Sequence, residues 1–231
     1  MKGLIRNNIY SMQSNLLVSF LIALVLGVLP LFIQGDGILQ MVISMQIYVF
    51  IANVGSSLHA DELSGWDRFE ITLPVCRSQI VQAKYLTFIL LFALGIGAGT
   101  LTLGGLWLTG RAPAFRDVLH GYAFGLTLSA LSTAVFYPLV LKFGTDKSDV
   151  FLILSGILSC VMLVLISGIL SLFTGSMMNM KAPLVDVVSV GTALVMFAAS
   201  YCISEQILQN KELDKQKTPL ASDRQGCFAC S

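Results

Sequence analysis

An all-α polytopic membrane protein, with six transmembrane helices, an N-terminal interfacial elbow helix and a cytoplasmic helix between spans two and three, is the fold class that three observations predict. The 231 residues are 55% hydrophobic and only 12% charged, a balance outside the range of soluble domains. Six apolar runs approach the about 20 residues needed to cross about 30 Å of hydrocarbon, and lipid, which satisfies no backbone group, admits only helices there. One charged, Pro-broken block, 59–84, separates two of those runs and must face something outside the bilayer.

The elements follow in order. In residues 1–15, Ile5, Ile9 and Met12 recur on one helical face that Leu16 continues, with Arg6, Asn7, Asn8 and Gln13 largely elsewhere. That pattern predicts an elbow helix lying on the inner leaflet. A signal peptide is excluded, because the apolar run after it exceeds the usual 7–15 residues and no small-x-small cleavage site follows Pro30 and Phe32. The spans are read at 16–33, 38–58, 85–108, 118–141, 150–173 and 184–204. Together residues 1–208 form one transmembrane domain, and 209–231 a polar, disordered cytoplasmic tail.

Between spans two and three, Leu63, Trp66 and Phe69 recur at three-residue spacing while Asp61, Glu62, Asp67 and Glu70 supply a negative edge. An amphipathic helix results, followed by an extended link broken at Pro74 and a second helix from Arg77 that runs into span three. Acidity suits an anionic inner leaflet poorly. These seven residues are therefore read as a docking surface for a partner protein.

Orientation follows from the basic residues. With six spans both termini share a side, which carries Lys2, Arg6, Arg68, Arg77, Lys84, Lys142, Lys147, Lys211, Lys215, Lys217 and Arg224, against Arg111, Arg116 and Lys181 opposite. The positive-inside bias makes that side cytoplasmic.

Several chemistries are excluded. No GxxxxGK[ST] phosphate loop occurs, so the chain binds no nucleotide of its own by that route. HExxH is absent, and His59 and His120 fall on opposite faces of the membrane, so neither a metalloprotease nor a serine hydrolase is assembled. Cys227 and Cys230 form a CxxC that is half of a zinc site, leaving catalytic and metal residues none. No ionisable residue sits mid-span to carry a coupling ion, and a net charge of +1 gives no hint of nucleic acid. Uphill work must come from another subunit.

Within the spans, Gly95 with Gly99 and Gly121 with Gly125 are small-xxx-small pairs that let helices approach closely. Gln46 and Asn53, seven apart on one face of span two, are the best candidates for lining a substrate path, against interhelical hydrogen bonding as the alternative. Thr127, Ser129, Ser132 and Thr133 on span four and Ser155, Ser159 and Ser167 on span five read as interhelical bonds. Pro138 permits a kink.

The run 62–86, ELSGWDRFEITLPVCRSQIVQAKYL, resembles the segment between spans two and three of ABC-2-type transporter permeases, particularly compact ones working with a separate ATPase in peptide export or resistance. Glu62, Leu73, Pro74, Val75, Arg77, Ile80, Val81, Lys84 and Tyr85 carry the match, and Cys76 departs from it where such proteins often have Ser. The resemblance implies that the segment is a coupling helix seated in an ABC-type ATPase subunit, which binds ATP and Mg. It further implies two permease copies, identical or not, in a bacterial cell membrane, exporting hydrophobic or amphipathic cargo such as small peptides. A membrane scaffold or immunity protein that sequesters a ligand without transport is the alternative, and an uncoupled channel a third.

Overall fold

In the computed structural model, residues 8–33, 35–64, 77–111, 113–144, 147–174 and 183–226 are described, with 36, 56–57, 59–63, 77–78, 171, 173–174 and 209–226 as backbone only. Among them every regular element is helical. A helical turn at residues 8–11 precedes α1 (Gln13–Phe32), α2 (Asp36–Leu63), α3 (Arg77–Leu108), α4 (Phe115–Phe143), α5 (Ser148–Thr174) and α6 (Pro183–Gly226). All six are long and apolar enough to cross a membrane, over Gln13–Phe32, Gly37–Gly55, Gln79–Leu108, Phe115–Phe143, Ser148–Leu170 and Pro183–Leu208. The expected spans agree with these to within a few residues.

Two helices differ from the simplest reading in length. Instead of ending with the apolar run, α2 continues through Asp61 and Glu62 to Leu63, so span two passes without a break into the acidic segment. The backbone of α6 is likewise helical to Gly226, past the point where the sequence turns polar. Pro138 lies inside the last turns of α4, which remains one helix until Gly144. That glycine, at φ +94, adopts a conformation open mainly to glycine, and its N–H returns to the Val140 carbonyl at 2.9 Å.

The bundle has two ends. The Lys84–Asn8 and Tyr85–Ser204 pairs lie at the proximal end, where α1 begins, and the Gln40–Asp117 and His120–Asp186 pairs at the distal end. Helices α2 and α4 form the centre. Of their most apolar windows 61% and 56% is buried, against 17% for α1 and 22% for α5 and α6. Lipid gives helices no hydrophobic reason to associate, so close contact must come from shape. Glycine supplies it: a Cβ at Gly95 would lie 2.7 Å from the Ile47 Cα, and one at Gly125 2.8 Å from the Ser44 Cα. Gly121 abuts Gln40 in the same way, whereas Gly99 faces the Tyr122 ring on α4.

Candidate functional site

The acidic segment is held at both flanks by helix. Asp61, Glu62 and Leu63 form the last turn of α2, and α3 restarts at Arg77; Trp66, Asp67, Phe69 and Glu70 lie outside the described residues. With about 1.5 Å per residue, the eight residues of α2 beyond Gly55 extend it roughly 12 Å past its spanning part. The 32 residues of α3 measure about 48 Å, well over the hydrocarbon thickness. A force on the intervening segment therefore meets two rods that cross the membrane.

At the foot of α3, two consecutive residues bind in different directions. Lys84, an inner-side charge and one of the residues that carry the resemblance, is 6% exposed, and its Nζ donates to Asn8 Oδ1 at 2.9 Å. Asn8 Nδ2 reaches Thr87 Oγ1 at 3.4 Å, one turn further along α3. Asn8 itself is buried and Ile9 exposed. Hydrophobic periodicity set Ile9 on the apolar face but does not reveal that a buried amine draws Asn8 inward as its acceptor. Tyr85 turns toward α6, where its hydroxyl meets Ser200 Oγ at 2.7 Å and Ser204 Oγ at 3.2 Å. Its ring packs on Phe88, Tyr137, Phe197 and Tyr201 with centroids 5.0–5.4 Å away, an aromatic cluster that ties α3, α4 and α6.

The polar face of α2 points at α1. Gln46 Nε2 donates to the Ala23 carbonyl and to Thr102 Oγ1, both at 2.8 Å, and Asn53 Nδ2 donates to Ser19 Oγ at 2.8 Å. Both are buried, and Gln46 Oε1 is one of four buried side-chain oxygens without a partner among the described residues. Beside this face, α1 and α3 enclose two apolar recesses. The distal one, of about 250 Å³, is walled by Phe20, Ala23, Gly27, Ala98, Thr102 and Gly105. The proximal one, of about 360 Å³, lies between Ile9, Met12, Leu16 and the Thr87–Leu94 stretch of α3.

Of the hydroxyls read as interhelical, Ser132 and Ser155 join α4 to α5 at 3.0 Å. Thr127, Thr133 and Ser159 instead bond back to carbonyls of their own helices, the local option open to such side chains. At the distal end His120 Nδ1 and Asp186 Oδ1 lie 2.6 Å apart, each 12% exposed, and Gln40 Nε2 donates to Asp117 Oδ1 at 2.6 Å.

No group of three metal-ligating side chains is present among the described residues. Six helices long and apolar enough to cross a membrane define a multi-pass membrane protein. The chain matches the family model described as ABC-2 family transporter protein over residues 3–209 and belongs to that family. It is thus of the membrane-subunit type of an ABC transporter. Neither a curated protein nor a solved structure matches it.

Proposed function

We propose that the chain is the permease of an ATP-driven exporter, acting as two copies bound to separate ATPase subunits that hold ATP and Mg, with both termini in the bacterial cytoplasm. The observation that carries this reading is the helical continuity on both sides of the acidic segment, joined to the family match. Asp61, Glu62, Leu63, Trp66, Asp67, Phe69 and Glu70 form the docking surface, and α2 and α3 convert its displacement into rocking of the spans. Hydrophobic or amphipathic cargo, such as small peptides, suits the apolar walls of the α1–α3 recesses, with Gln46 and Asn53 behind them.

The test is substrate-stimulated ATP hydrolysis by the purified complex. Trp66→Ala and Asp67→Lys should abolish stimulation while the permease still folds, and the permease alone should move no cargo. Stimulation that survives both substitutions in an intact assembly refutes the docking assignment.

A further inference from the structure

We propose that Lys84 and Tyr85 are positioning residues that yoke the proximal end of α3 to the N-terminal helical turn on one side and to α6 on the other. A displacement arriving at α3 is then shared by all three. The source of that displacement rests on the reading above; the yoke itself does not.

Burying an ammonium carries a large desolvation penalty, and a methionine of similar length would fill the same space without it. Lys84 is nevertheless 6% exposed and bonded to Asn8, which is 1% exposed and is reached from the other side by Thr87. Thr87 gives its own proton to the Ala83 carbonyl at 2.8 Å and is left as an acceptor for the Asn8 amide. One face of α3 thus grips Asn8 at two points a turn apart. Met12 adds packing, since it is buried in one cluster with Val81, Tyr85 and Phe88 of α3, beside an apolar recess of about 360 Å³. The polar pin gives that packing a direction. Tyr85, about 100° further round the helix, places its hydroxyl between Ser200 and Ser204, which are one turn apart on α6. Both grips lie seven or eight residues, roughly 10–12 Å, from the start of α3 at Arg77. A push on the acidic segment is therefore delivered to the N-terminal turn and α6 through a short stretch of continuous helix.

Spin labels at Tyr10, Leu86 and Ile203, all on exposed positions, report the two grips by pairwise distance distributions, in a background with the five native cysteines replaced. Lys84→Met should widen the Tyr10–Leu86 distribution about twofold and leave Leu86–Ile203 unchanged, and Tyr85→Phe, which keeps the ring, should do the reverse. Asn8→Ala should reproduce Lys84→Met from the other partner, and Asn8→Asp should retain the narrow distribution. Unchanged widths in Lys84→Met and Asn8→Ala overturn the proposal, as does a Tyr10–Leu86 distance in the unsubstituted protein that changes between nucleotide-free and ATP-bound complexes. Should no ATPase associate, the exporter reading fails, while the widths measured on the permease alone still decide the yoke.

Discussion

A methyl group at Gly95 would lie 2.7 Å from backbone of the facing helix, whereas one at Gly104 would meet nothing within 4 Å. Two chemically identical substitutions therefore have different consequences. Gly95→Ala must push α2 and α3 apart or displace Ile47, an overpacking expected to lower stability by about 1–3 kcal/mol. Gly104→Ala should change it by less than about 0.5 kcal/mol. Reversible unfolding in mixed micelles distinguishes them, and equal effects would mean that the α2–α3 approach is looser than the structure shows. Residue pairs of this kind were legible in the sequence because small-xxx-small spacing is a local pattern. Gln46 and Asn53 were legible for the same reason: seven residues is two turns, and both do face α1. What they bond to was not.

Among the elements, α4 is the one whose partners decide the architecture, since it packs on α2, α3, α5 and α6. Its distal end is tied to α6 through His120 and Asp186 and to α2 through Asp117 and Gln40. A double-mutant cycle of His120→Gln and Asp186→Asn should show a coupling of about 0.6–1.7 kcal/mol, the range found for polar pairs between membrane helices. Additive effects would mean that the contact does not hold α4 and α6 together. The sequence placed both residues near the distal interface, since each lies in the first turns of its helix, but 66 residues separate them and no local pattern pairs them. Lys84 with Asn8 and Tyr85 with Ser200, 76 and 115 residues apart, were hidden for the same physical reason. Amphipathic periodicity reports which face is apolar, and a buried polar pair sits within that face.

For the whole molecule, the proposed orientation has a direct chemical consequence. Cys227 and Cys230 lie in the segment after the last span, so a membrane-impermeant maleimide should label them in inverted vesicles and spare them in intact cells. The opposite pattern would invert the topology and place the acidic segment outside. Six spans and their limits were readable from composition and run length alone, because crossing lipid constrains a chain more tightly than folding in water does. The order in which the helices pack was not readable, since lipid-facing and helix-facing apolar residues look alike in sequence. Only 17% of the apolar window of α1 is buried, against 61% for α2, although both read as ordinary spans.

That sparsely covered first helix, which packs chiefly on α2 and α3, bears on how the protein is made. The Ser19 hydroxyl precedes its partner amide by 34 residues, so α1 is made before the groups that hold it. At about 5–20 residues per second, several seconds of synthesis separate the end of α1 at Phe32 from the end of α3 at Leu108, which covers its other flank. The flanks of α1 are therefore covered before the α2–α4 centre is complete.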